Sequence, residues 1–176
     1  MSRFTILDIP SGSLILVCSE HGPSRVILTR RRGREAIALA GRELPEADYT
    51  AHLLPELEDE LADYFAGRPV TFHARPDLTG LTPFQQEVLR ACARIPYGKT
   101  ATYAELAKRV GRPGAARAVG SAMASNPVPI IIPCHRVITS QGTLGGFSAE
   151  QGVALKCQLL EMESRATGQT ISEAVK

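Results

Sequence analysis

A chain of 176 residues, 44% of them hydrophobic, holds one large domain or two small ones around an ordinary globular core. No apolar run reaches membrane-span length, Asp8, Pro10, Gly12 and Glu20 interrupt the start as no signal peptide is interrupted, and the four cysteines, at 18, 92, 134 and 157, make neither a disulfide framework nor a zinc ribbon, so a soluble cytoplasmic protein is expected. The formal net charge of +2 conceals an asymmetry: residues 43–77 carry nine acids and two bases, whereas residues 82–140 carry eight bases and two acids, which points the second half towards a polyanion or marks an unevenly charged surface.

In chain order, Leu14-Ile15-Leu16-Val17-Cys18 and Arg25-Val26-Ile27-Leu28 read as strands separated by the turn signal Glu20-His21-Gly22-Pro23. Over residues 52–65 apolar side chains recur at 53, 54, 57, 61, 64 and 65, a helical stripe that Gly67 and Pro69 end. Residues 70–73 are compatible with a further strand, and residues 73–81 carry the proline, glycine and aspartate of a linker. Residues 1–81 therefore read as a small α/β domain, a sheet plus a helix.

The second part, residues 82–176, reads as mainly helical. Thr82-Pro83-Phe84-Gln85 is a capping box with proline at the first helical position, and Phe84, Val88, Leu89 and Cys92 point inward. Thr102-Tyr103-Ala104-Glu105 caps a second helix running to about Val110. Gly111-Arg112-Pro113-Gly114 breaks it, and residues 115–125 form a third, stopped by Asn126-Pro127. Two short helices across a glycine-containing turn, in the basic half, fit a helix-turn-helix and equally fit two packed helices with no DNA business. The second of them is built of small residues around Arg117, including Ala116, Gly120, Ser121 and Ala124. An interior glycine costs a helix about 1 kcal/mol relative to alanine, so a close approach is wanted there, by another helix or by DNA.

Ile130-Ile131-Ile132-Pro133 then delivers Cys134 and His135. The thiolate is the nucleophilic form of a cysteine, and an imidazole can take the thiol's proton, so a sulfur ionised at neutral pH is expected if this pair is catalytic. Neighbouring side chains on an extended segment point to opposite faces, so the pairing needs a turn or a bridging water. A buried structural cysteine beside a core histidine stays open at this level.

The runs Ile95-Pro96-Tyr97-Gly98-Lys99-Thr100-Ala101-Thr102-Tyr103, Arg117-Ala118-Val119-Gly120 and Asn126-Pro127-Val128-Pro129-Ile130-Ile131-Ile132-Pro133-Cys134-His135-Arg136-Val137, with Gly145-Gly146-Phe147-Ser148 and the segment to Glu163, resemble the O6-alkylguanine-DNA alkyltransferases, also called methylated-DNA–protein-cysteine methyltransferases. The resemblance covers residues 82–163. It implies single-use transfer of an alkyl group from guanine O6 in double-stranded DNA to Cys134, by a monomer that needs no cofactor. It further implies that His135 is the base, acting through water, that Glu163 orients it, and that Asn126 braces the turn. Tyr103 would meet a flipped guanine and protonate it as it leaves, and Arg117 would fill the gap in the duplex. Ala116, Ser121 and Ala124 would face the minor groove, only about 6 Å wide. Val137, Phe147, Ser148, Pro129 and Met123 would line the substrate pocket.

The chain departs from that family at Phe147, where tyrosine is common, at Ala124, where some relatives carry arginine, and at Ala149-Glu150-Gln151-Gly152, where glycine-rich sequence is usual. Some relatives hold zinc in their first half. Here Cys18, His21 and His73 offer no fourth ligand, and no metal is expected. A cysteine hydrolase, a lesion-binding protein without chemistry and a redox sensor are the other classes a Cys-His pair in a basic domain admits.

Overall fold

The structure, a computed structural model, describes residues 1–147 and 149–168. Strands β1 (Arg3–Ile9), β2 (Gly12–Ser19) and β3 (Gly22–Thr29) form an antiparallel meander, and the short β4 (Asp48–Tyr49) adds to β1 in parallel, giving the order β3-β2-β1-β4. The central strand β2 is buried on both faces, and strand geometry sends alternate residues to opposite sides. Leu14, Leu16 and Cys18 join Leu57, Leu61 and Tyr64 of helix α2 (Pro55–Phe65) in the main core. Ile15 and Val17, with Phe4, pack on Leu39 and Ala40 of helix α1 (Gly33–Glu43).

Four features of this half differ from the sequence reading, the first two being strands β1 and β4, which it did not name. Helix α1 had left little trace: it opens at Gly33 without a side-chain cap and buries only Ala36, Leu39 and Ala40. Residues 70–73 are extended but form no strand. The sheet edge beside β1 is taken by β4, and the His73 amide donates to the Glu60 carboxylate (3.2 Å) rather than to a neighbouring strand.

The second half opens as its capping boxes dictate. Helix α3 (Pro83–Ala93) begins at Thr82, whose hydroxyl accepts from the Gln85 amide while Gln85 reaches back to the Thr82 amide. Thr102 and Glu105 repeat the arrangement for α4 (Tyr103–Arg109). Helix α5 (Ala116–Ala124) packs on both α3 and α4, and α4–turn–α5 is the helix-turn-helix. A short 3-10 turn, Cys134–Arg136, leads into β6 (Val137–Ile138), which pairs in parallel with β5 (Ala101–Thr102). Helix α6 (Gly152–Thr167) closes the described chain.

The fold is therefore an α/β unit followed by a mainly helical half, as expected. A single apolar cluster nevertheless runs through both, from Leu16 and Tyr64 to Leu89, Ile132 and Leu159. Among the described residues no helix is long and apolar enough to cross a membrane, and no three His, Cys, Asp or Glu side chains converge as a metal site.

Substituting Thr82 by Ala removes one reciprocal cap and is expected to lower stability by about 1 kcal/mol. In urea titration the midpoint falls while the slope of the transition stays that of the parent.

Candidate active site

The approach to Cys134 is a clamped turn. Asn126 Nδ2 donates to the Ile132 carbonyl (2.9 Å), and Asn126 Oδ1 accepts from the Val128 amide (3.1 Å). The Ile132 amide donates to the Val128 carbonyl (3.0 Å), and the Val26 amide of β3 donates to the Pro127 carbonyl (2.8 Å). Within the turn Ile130 has φ 76°, a left-handed conformation that a β-branched residue adopts only when its surroundings impose it. Beyond Pro133 the chain enters the 3-10 turn, where successive side chains rotate by a third of a turn rather than alternating. The chain thus turns between Cys134 and His135, as their pairing in one site would require.

Cys134 lies at the floor of a cavity of about 460 Å³ lined also by Tyr103, Gly120, Met123, Ala124, Gly145, Gly146 and Phe147. That volume lies within the range of small-ligand sites. Gly145 has φ 65°, and a Cβ there would stand 2.9 Å from the Tyr103 hydroxyl, so glycine is what leaves that hydroxyl room at the wall. Gly120, the interior glycine of α5, also lines the cavity, but a Cβ there would meet the Tyr103 ring only at 3.9 Å, an ordinary contact, so lack of space at that ring does not account for it.

Behind the sulfur, His135 is completely buried. Its Nε2 lies 2.7 Å from Glu163 Oε1, and because an ionised carboxylate only accepts, this nitrogen carries the hydrogen. Nδ1 then holds the lone pair, and it is the buried polar side-chain atom left without a protein partner among the described residues. Burial holds the imidazole below its ordinary value, against the upward pull of Glu163, so the ring is neutral at neutral pH.

Glu163 is opposed by burial, but its bonds to His135 and Arg136 outweigh that and bring its carboxyl down to about 2. Arg136 Nε donates to Oε2 (2.9 Å), Nη2 donates to Oε1 (3.0 Å), and Nη1 caps the Ile95 carbonyl (2.7 Å). The Gly98 amide donates to Oε2 (3.0 Å).

The sulfur itself differs from expectation. Burial pushes the Cys134 thiol up, and the Asn126 side chain, Lys156 and nearby amides recover only part of that. The resting residue is therefore a thiol rather than a thiolate, because desolvation in so closed a site outweighs one neighbouring cation.

The sequence-derived site residues sort into layers. Cys134, Tyr103, Met123, Ala124 and Phe147 line the cavity, and Asn126, His135 and Glu163 support it from behind. Arg117, Ser121 and Ala124 are exposed along one face of α5, with Ala116 half-buried beside them. Val137 is buried and its carbonyl is taken by Lys156 Nζ (2.6 Å). Pro129 lines a different groove, between β3, α1 and the residue-126 turn. Ser148 lies outside the described residues.

Sequence reasoning assigned no role to Arg136, Lys156 or Tyr64. Arg136 stood within the quoted motif, and Lys156 is fully buried in α6, where desolvation lowers its amine to about 8. Tyr64 resembled one more apolar position on the stripe of α2.

Residues 83–165 match the family model described as 6-O-methylguanine DNA methyltransferase, DNA binding domain. The methylated-DNA–protein-cysteine methyltransferase of Mycobacterium tuberculosis is 51% identical over 167 residues, covering 94% of this chain and 95% of its own. That of Salmonella typhimurium is 42% identical over 157 residues, covering 88% and 91%. Among solved structures, the Mycobacterium tuberculosis O6-methylguanine methyltransferase superposes with a TM-score of 0.78 at 36% identity, covering 94% of both chains. Mycobacterium tuberculosis OGT in complex with DNA gives the same TM-score of 0.78 at 36% identity over 93% of this chain.

The Glu163 carboxyl titrates near 2 folded against an ordinary 4.5, so its contribution, about 3 kcal/mol, is complete above pH 4.5 and is lost as pH falls towards 2. Glu163→Gln leaves Arg136 buried without its counter-charge and is expected to cost about 3–5 kcal/mol at pH 7. Urea denaturation at neutral pH and near pH 3 checks this, the gap between parent and variant narrowing in acid.

Proposed function

Because the chain belongs to the methylated-DNA–protein-cysteine methyltransferase family, we propose that it repairs O6-alkylguanine in double-stranded DNA by moving the alkyl group irreversibly to Cys134. The observation that carries this is a cysteine sulfur lining a cavity of about 460 Å³ walled by both helices of the helix-turn-helix and by residues 145–147, next in the chain to a buried neutral imidazole whose Nδ1 has no protein partner among the described residues.

The lesion cannot react while stacked, so the base leaves the duplex and enters the cavity, at a cost of a few kcal/mol. Arg117, exposed on α5, takes the space it leaves, and the small side chains of that helix suit a narrow minor groove. Sγ attacks the sp³ carbon on O6. The C–S bond forms as the C–O bond breaks, and the electron pair goes to the guanine. The thiol proton passes through water to His135 Nδ1, so the thiolate arises as it is consumed, which reconciles a raised thiol pKa with reactivity. Burial also raises the Tyr103 phenol, which therefore keeps its proton at rest and offers it to the leaving base. His135 then returns its proton through solvent, restoring the phenol. The product is a thioether, which water does not hydrolyse, so each molecule acts once, as a monomer.

The decisive measurement is intact-protein mass after mixing with a duplex carrying O6-methylguanine. A gain of one methyl in place of hydrogen, mapped to Cys134, is expected, and an unchanged mass in folded protein defeats the proposal. Cys134→Ala should retain affinity for the lesion duplex and gain no mass. Arg117→Ala should slow transfer from duplex by about tenfold or more, as losing ~1.4 kcal/mol of help with extrusion implies, while transfer from the free alkylated base stays near the parent rate.

A further inference from the structure

The N-terminal half reaches the chemistry at one point. Tyr64, near the end of α2, is fully buried, and its hydroxyl donates to Glu163 Oε1 (2.7 Å) while lying 3.1 Å from His135 Nε2. Three groups therefore meet around one carboxylate oxygen, with Nε2–H and the phenol both directed at it. Burial and the adjacent Glu163 push the phenol's pKa well up, so it acts only as a neutral donor.

Packing alone does not account for that hydroxyl. The ring stands edge-on to Phe65, at 5.4 Å between centroids, and to Tyr97, at 5.9 Å, and it also contacts Phe72 and His135. A phenylalanine would fill the same space without placing a hydroxyl where water cannot reach it. What the oxygen adds is a bond to the atom that orients the base.

Resting on the reading of His135 as the base, we infer that Tyr64 is a positioning residue for alkyl transfer, supplied by the N-terminal half, that fixes the ring plane and Nε2–H tautomer of His135 and moderates its basicity by sharing Glu163 Oε1. The hydroxyl leaves Nε2 an acceptor neighbour but no competing proton, since its own hydrogen is committed to Glu163. It also draws charge from the carboxylate oxygen that Nε2–H faces. The groups facing the imidazole are Tyr64 from α2, Glu163 and Lys156 from α6, Arg136 and Cys134 from its own turn, and the Tyr97 ring beside Arg136. Glu163 alone among them is anionic; Arg136 bonds both of its oxygens and Tyr64 adds a further donor on Oε1, the oxygen that Nε2–H faces, so removing that donor changes how readily His135 takes a proton.

Tyr64→Phe keeps the ring and removes only the hydroxyl, with its bond to Glu163 Oε1 and its contact with His135 Nε2. The single-turnover rate of methyl transfer, followed between about pH 5 and 9, is expected to drop about tenfold on its plateau, a fraction of the hundredfold or more that a positioned base contributes. The acid limb of the profile should move to higher pH, because a Glu163 that has lost one donor on Oε1 raises the imidazole's affinity for a proton. Affinity for the lesion duplex, measured in a Cys134→Ala background, should match that of the singly substituted protein. A parent-like rate and limb in Tyr64→Phe would overturn the inference. So would a uniform loss at every pH that tracks a lower folded fraction in thermal melts. If the parent protein itself gains no methyl on Cys134, the repair reading fails, and this one with it; if the parent transfers and Tyr64→Phe matches it, only the role of Tyr64 is lost.

Discussion

The site is organised around one buried negative charge. Glu163, on α6, is almost wholly enclosed, and three other segments send donors to it: Arg136 and His135 from the 3-10 turn, Gly98 from the turn after α3, and Tyr64 from α2. A carboxylate so deep is tolerable only because its lone pairs are satisfied and a guanidinium neutralises it. That requirement fixes the relative placement of four segments distant in sequence. It also fixes the histidine tautomer, because an acceptor-only group on Nε2 forces the lone pair to Nδ1.

The same burial governs the sulfur and the imidazole, with opposite consequences for their protons. Desolvation favours the neutral form of each, so the thiol keeps its proton and the imidazole does not acquire one. The pair therefore rests neutral, and in the proposed reaction the proton crosses only when an alkyl carbon is presented to the sulfur. A standing thiolate would instead be open to oxidants. The apparent basicity of the second half needs a related correction. Arg136, counted among its eight bases, is buried and spent on Glu163, so the field that meets a polyanion comes from the exposed cations such as Arg117.

Local chemistry predicts local elements well in this chain. The Thr82 and Thr102 capping boxes form with the bonds expected of them, and the apolar spacing over residues 52–65 becomes α2. Helix α1 was invisible because its stripe is short, largely alanine, and uncapped. Residues 70–73 had the composition of a strand but join no sheet, the place beside β1 being taken by β4, which is a property of the whole sheet rather than of those residues. At the site, Cys134, Tyr103, Met123 and Phe147 were named from sequence and share a cavity, whereas Pro129 turned out to line another groove.

By itself the sequence determined the capped helices and, through the runs around Arg117 and Cys134, the family to which they point, because these depend on residue identity at short spacing. Tertiary structure alone decided three further matters: that the thiol rests protonated, that Arg136 is structural rather than a surface cation, and that a tyrosine of the first half bonds the buried carboxylate of the second. Each is a consequence of burial and of contacts between residues far apart in the chain, Tyr64 and Glu163 most of all. Desolvation and long-range hydrogen bonding leave no mark on local pattern, so they could be read only once the chain was folded.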